Sequence, residues 1–197
     1  MIFNRGAFNN RAVNESFVTR SLNEIKNFSA QKEYKIKPTV FLSHKHEDLT
    51  DLRGLIGILE DLGAKVYIDS MDNKMPEQTC GDTAKRIKEV IKFCDKFILL
   101  GTTKAIESYW CNWELGIGDT HKYNQHIALL PMKEESQYSW EYKGNEYLQI
   151  YPQIDYRDGT TNYQSGARIA EGYYIANPVN KENVTVITPL REWLNSK

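Results

Sequence analysis

The strongest constraint on this chain is a repeated alternation of short apolar runs with amphipathic stripes. Thr39-Val40-Phe41-Leu42-Ser43 is a short apolar run carrying β-branched residues, as in a strand buried on both faces of a parallel sheet. Leu49, Leu52, Leu55, Ile56, Leu59 and Leu62 follow at helical spacing, with Asp48 placed to cap the helix and Gly63 to stop it. Ala64–Asp69 reads as a second strand, and Ala84, Ile87, Val90, Ile91 and Cys94 as a second helical stripe. Lys96–Leu100, closed by Gly101, is a third strand; Ile106, Trp110, Trp113 and Ile117 mark a third stripe; Ile127–Leu130, ended by Pro131, is a fourth strand. This order predicts an α/β fold, a parallel sheet with right-handed crossovers and helices on both faces. Ligand sites in such sheets lie beyond the carboxyl ends of the strands, where the loops starting at His44, Asp69 and Thr102 emerge.

The flanks are less regular. Residues 1–37 read as an N-terminal extension, with a helix expected over Asn14–Phe28 from Phe17, Val18, Leu22, Ile25 and Phe28. The main domain then covers 38–197. Within it, 133–183 is a long, aromatic-rich segment. Trp140–Tyr142 and Tyr147–Tyr151 could form a hairpin around Lys143-Gly144-Asn145, and Ile154–Tyr156 a fifth, edge strand. Thr188-Pro189 has the form of a helix start, with Leu190, Trp193 and Leu194 on the apolar side.

Composition excludes several classes. With 25 basic and 26 acidic residues among 197 and a net charge of −1, no electrostatic case exists for nucleic acid or an anionic membrane as partner. No apolar run approaches the roughly 20 residues of a membrane span, and no apolar segment follows Arg5 and Arg11 as a signal peptide requires. Three widely spaced cysteines suit a reduced, cytoplasmic setting. No G-x-G-x-x-G, Walker loop or G-x-S-x-G elbow occurs, and no ligand pattern completes a metal site around His44 and His46. Neither a cofactor nor a metal is expected.

Chemistry concentrates in two stretches. Ser43-His44-Lys45-His46 ends the first strand with donors and a cation suited to phosphates or ribose hydroxyls, although an ordinary polar connection has the same composition. Ser108-Tyr109-Trp110-Cys111-Asn112-Trp113-Glu114 packs two tryptophans and an acid into seven residues. On a helix, Trp110 and Glu114 share a face. An aromatic plate beside a lone carboxylate suits a ligand that is part flat ring and part sugar, and a core role for both tryptophans is the competing reading. Trp113 is expected to turn toward the core, and Ser108 to cap the helix. Asp69 is read as an ordinary loop residue.

Val40–His44 with Glu47-Asp48, then Val66–Asp69 before a polar loop, then Ser108–Glu114 together resemble a Toll/interleukin-1 receptor (TIR) domain of the bacterial kind over residues 38–132. The resemblance implies a flavodoxin-like sheet of about five strands and, for many members, cleavage of NAD as substrate at the nicotinamide–ribose bond. It implies Glu114 as the catalytic glutamate and Trp110 as the stacking aromatic. It further implies Ser43, His44, Lys45 and His46 as nucleotide contacts and Ser70–Asp82 as a loop that opens and closes over the site. Partners implied are NAD, further copies of the chain, and an effector that senses an ADP-ribose or cyclic ADP-ribose product in antiphage immunity. The absence of an appended effector domain suits a stand-alone signal producer. Two alternatives remain open here: a non-enzymatic TIR adaptor and a nucleoside deoxyribosyltransferase-like enzyme.

Overall fold

The computed structural model describes residues 2–8, 18–19, 37–69, 80–134, 136, 138 and 145–197. In chain order its elements are β1 (Phe3–Asn4), β2 (Val18–Thr19), β3 (Thr39–Ser43), α1 (Leu49–Asp61), β4 (Lys65–Tyr67), α2 (Gly81–Phe93), β5 (Lys96–Gly101), α3 (Thr103–Ile106), α4 (Tyr109–Lys122), β6 (Ile127–Lys133), β7 (Gln153–Arg157), β8 (Gly172–Ala176), β9 (Ile187–Pro189) and α5 (Leu190–Asn195). The described strands join in one nine-stranded sheet of order β2-β4-β3-β5-β6-β7-β8-β9, with β1 also on β6. The pairings from β2 to β7 are parallel; β8 and β9 add antiparallel strands.

Side chains alternate across this sheet as period-2 strands require. Val40, Leu42, Ile98 and Leu100 face α1 and α5, where Leu52, Leu55, Ile56, Leu59, Leu190 and Leu194 complete one core layer. Phe41, Tyr67, Phe97 and Leu99 face α2 and α4, meeting Ile87, Val90, Ile91, Cys111 and Leu115. Each such buried side chain contributes roughly 1.5–3 kcal/mol. The rings of Tyr67, Phe41 and Phe97 run across the second layer with centroid spacings of 5.8 and 5.5 Å. Helix α4 settles on this platform at Gly118, where a Cβ would lie 3.1 Å from Phe97 Cδ2. That approach seats Glu114, one turn earlier on the same face, against the end of β3.

Several expectations change. The sheet has nine strands rather than about five, and β7 is internal because β8 and β9 continue beyond it. Pro131 lies inside β6 instead of ending it. Leu129 N–H makes the last pairing of β6 with β7, to Pro152 O, and β1 takes over at Met132 and Lys133, so the residue without a donor stands where β6 passes from one neighbour to the other. Glu146–Ile150 is a 3-10 helix, not a strand; Leu148 and Tyr151 are buried three residues apart, the period of that helix. The rest of the expected hairpin lies mostly outside the described residues. So does most of the expected Asn14–Phe28 helix, but Val18 and Thr19, both β-branched, pair with the free side of β4. Residues 70–79 of the expected polar loop are also outside; its end is already helix, since α2 begins at Gly81. Among the described residues no helix is long and apolar enough to cross a membrane.

Candidate active site

The carboxyl ends of β3, β4 and β5 form the floor of the candidate site. Ser43 ends β3 and is buried. Its hydroxyl donates a 2.5 Å hydrogen bond to Oε2 of Glu114, which α4 delivers from above. Ser108 caps α4, its hydroxyl accepting from Cys111 N at 3.4 Å, as the sequence predicts. Glu114 is 1% exposed; its Oε1 meets no donor in hydrogen-bonding geometry among the described residues, although the Trp110 indole lies near enough to favour the charged carboxylate. Burial pushes the Glu114 pKa up to about 8, and the nearby charge of Asp69 adds to this, while Ser43 and the Trp110 indole oppose it.

His44 is buried directly after Ser43. Its Nδ1 lies 3.7 Å from Asp69 Oδ1 and 3.4 Å from Leu42 O. Burial lowers its pKa, and Asp69 pulls in the opposite direction. The Cys111 thiol donates to His44 O at 3.4 Å, and burial, with Glu114, pushes this thiol to about 11. A thiol so held is not a nucleophile at neutral pH. Lys45 is half-buried and His46 exposed, the latter opening the short turn His46–Asp48. The loop therefore presents His44 inward and His46 outward; the four residues do not converge equally.

The two tryptophans stay together. Trp110 is half-buried, packed against the second core layer, and its ring lies 5.0 Å from that of Trp113 at an interplanar angle of 34°. Trp113 is 36% exposed, so the expectation that it enters the core is wrong: positions 110 and 113 are neighbours on one helical surface. The late segment reaches the same helix and the end of α3 before it. Tyr147 OH donates to Asn112 Oδ1 at 2.5 Å, and Asn145 Nδ2 donates to Ile106 O at 2.8 Å.

Two acidic residues belong to the site although sequence reasoning gave them ordinary roles. Asp69 follows β4, which pairs with β3 through Phe41 and Tyr67; two residues further along both strands stand Ser43 and Asp69. The signal was the expected emergence of the Asp69 loop at the same carboxyl edge as the His44 loop. Asp48 occupies the capping position of α1 but makes no side-chain capping bond. Its carboxylate instead accepts from Thr102 Oγ1 at 2.6 Å and pairs with Arg5 at 3.0 Å. Among the described residues no group of three His, Cys, Asp or Glu side chains gathers as a metal site would need.

The family profile described as TIR domain matches residues 40–170. The chain belongs to the TIR domain family. The matched TIR segment runs from β3 to the loop before β8 and so contains the Ser43–Glu114 pair. A protein of Bacillus cereus (strain MSX-D12) named "Probable 3' cyclic ADP-D-ribose synthase ThsB'" is 34% identical over 131 residues, 66% of this chain and 64% of that relative. The similarity thus spans a little under two thirds of the relative's length.

Proposed function

We propose that this TIR domain cleaves NAD at the nicotinamide–ribose bond, releasing nicotinamide and an ADP-ribose or cyclic ADP-ribose product. The observation that carries the reading is the state of Glu114. One oxygen is held by Ser43, and the other is buried without a partner among the described residues. An unpaired buried acceptor is costly, and a ribose hydroxyl is a group that would relieve it.

The chemistry follows from the leaving group. Nicotinamide departs from NAD as a neutral ring, taking the electron pair of the glycosidic bond, so no strong general acid is needed. The barrier falls when positive charge developing on the ribose is stabilised. Glu114, in its ionised form, sets a negative charge against it in a buried pocket, and Ser43 fixes the carboxylate's orientation. His44, Lys45 and His46 are proposed to hold the phosphates or ribose hydroxyls, and Trp110 to stack a base. Attack by water gives ADP-ribose, and attack by an atom on the adenosine side gives a cyclic isomer; in either case the acceptor loses a proton. The name of the Bacillus cereus relative makes a 3' cyclic product the specific expectation here. Tyr147, bonded to the first turn of α4, and Asn145, bonded to the end of α3, would help exclude water in favour of the internal acceptor. The product is proposed to act as a signal to a separate effector in antiphage immunity, in the cytoplasm, with self-association promoting activity.

The test is incubation of concentrated protein with NAD, with products identified by mass and retention. Nicotinamide release that disappears in Glu114→Ala is expected. Retained turnover in that variant would remove Glu114 from its role, and no turnover of NAD by the self-associated or stimulated protein would sink the reading.

A further inference from the structure

We propose that Arg5 is a positioning residue for the NAD reaction, and that residues 2–8 form a strap that holds the nucleotide loop in place. The idea rests on the function proposed above, but Arg5 and the strap themselves lie outside residues 40–170 matched by the family.

Arg5 joins two carboxylates that the fold has removed from water. Its Nε donates to Asp51 Oδ2 at 2.6 Å, and its Nη1 lies 3.0 Å from Asp48 Oδ1. The side chains of Asp48 and Asp51 are 0% and 2% exposed. Gly6 N–H donates to the other Asp51 oxygen at 2.6 Å, and Thr102 to the other Asp48 oxygen at 2.6 Å. A third carboxylate, Glu134, lies 3.5 Å from Arg5 Nη1. A planar guanidinium can serve several carboxylates at once, which an ammonium cannot do with the same geometry.

The strap is built into the fold around this arginine. Phe3 and Asn4 pair with Met132 and Lys133 of β6, and Arg5 N–H donates to Lys133 O. Phe3 and Phe8 are buried in the core layer of α1, 5.1 Å apart. Gly54 on α1 permits the approach: a Cβ there would overlap Phe8 Cβ and lie 2.5 Å from the Phe8 carbonyl oxygen. The obstacle includes backbone, so a side chain at 54 must displace the strap.

What the strap holds is the end of the substrate loop. Asp48 closes the turn that begins at His46, and its N–H donates to Lys45 O at 2.8 Å. Its carboxylate is anchored between Arg5 and Thr102, the residue after β5. Withdrawing the guanidinium leaves two buried carboxylates repelling each other at the base of this loop. The cheapest relief is for Asp48 to swing toward water, carrying Lys45 and His46 with it. Binding of the nucleotide then weakens while the Ser43–Glu114 pair, on different elements, stays formed.

Three variants test this: Arg5→Ala, Arg5→Lys and Gly54→Ala, the last moving the strap with every charge retained. Turnover of NAD is measured where circular dichroism shows each protein folded, together with amide hydrogen exchange at residues 44–48. The expected result is at least a tenfold loss in kcat/KM for Arg5→Ala and Gly54→Ala, carried mainly by KM, with faster exchange at 45–48 and an intermediate Arg5→Lys. A purely structural strap would lower the melting temperature and leave kcat/KM of the folded protein within twofold of the parent; that result, or unchanged exchange at 44–48, overturns the proposal. Should Arg5→Ala fail to fold, Arg5→Lys and Gly54→Ala decide by the same readouts. If the parent protein does not cleave NAD, the function proposed above fails, and exchange alone decides whether Arg5 holds the loop.

Discussion

Ser43 and Glu114 lie 71 residues apart in sequence and meet in a buried hydrogen bond of 2.5 Å. The bond joins the carboxyl end of β3 to one face of α4, so it forms only when sheet and helix are packed. It leaves a carboxyl group whose ionisation is costly and whose second oxygen is unoccupied among the described residues. Fold stability and proposed catalysis therefore compete at one residue.

The stability side of that competition gives the first prediction. In the unfolded chain Glu114 ionises near its ordinary value of 4.5, whereas burial and the charge of Asp69 push it to about 8 in the fold. Between those values the folded state keeps a proton that the unfolded state has released. Stability from this group is fully present below about pH 4.5 and lost as pH rises through about 8. Glu114→Gln should abolish NAD cleavage yet stabilise the protein above pH 8 by roughly 1–3 kcal/mol, a rise of several degrees in Tm. Thermal unfolding across pH 5–9 reads this; a variant less stable than the parent at pH 8.5 contradicts it.

The activity side gives the second. If the ionised carboxylate acts, kcat/KM for NAD rises with pH toward a plateau just above about 8. Asp69 raises the Glu114 pKa and Ser43 lowers it, so Asp69→Asn should move the profile to lower pH and Ser43→Ala to higher pH. Opposite displacements are the signature, and pH–rate profiles of the three proteins check it. Shifts of the same sign would mean that the profile reports another group.

The fold was largely readable because its signals are local and periodic. The Leu49–Leu62 stripe becomes α1, and Gly63 adopts φ +93° just past its end. Tertiary partners are not periodic. Nothing in the spacing of Asp48 distinguishes a helix cap from a carboxylate held by Thr102 and Arg5. The Asp69 loop could be placed at the ligand edge, but Asp69 could be given no partner before the register of β3 with β4 set it beside His44. Trp113 was misplaced because its apolar character argues for burial, whereas its helical position beside Trp110 leaves it at the surface. The strand β8 escaped because its short run, Tyr173–Ala176, lies among glycines, tyrosines and polar residues with no surrounding period, and β9 because Thr188-Pro189 has the form of a helix start.

The Trp110–Trp113 pair gives the third prediction. A base stacked on tryptophan is worth about 1–3 kcal/mol, so Trp110→Ala should raise KM for NAD about tenfold or more. Trp110→Phe should recover part of the loss. Trp113→Ala, which removes the outer ring, should change KM about threefold or less. Steady-state kinetics separates these cases, and equal effects at both positions would make the pair one platform rather than a contact ring with its support.

A last prediction separates the two edges of the sheet. Lys96 begins β5 at the amino edge, away from Ser43, and is fully buried. Its ammonium donates to Ser196 O at 2.9 Å, to Ser196 Oγ at 2.8 Å and to His126 Nδ1 at 2.6 Å, and it sits 4.9 Å from the centre of the Trp193 ring. Burial lowers its pKa to about 8, Lys122 adding to the effect and Asp95 opposing it. Stability from this group is thus present above about pH 10.5 and lost as pH falls through about 8, because the folded lysine must then carry a buried charge. Deleting Ser196 and Lys197 withdraws two acceptors from that charge and should cost roughly 1–3 kcal/mol, most below pH 8 and less above it. NAD turnover measured well below the melting temperature should be unchanged, since α5 packs at the edge opposite Glu114. Calorimetry at pH 7 and pH 9 beside the NAD assay tests both halves. A deletion that spares Tm but reduces turnover would couple the amino edge to the site, against the separation that this sheet imposes.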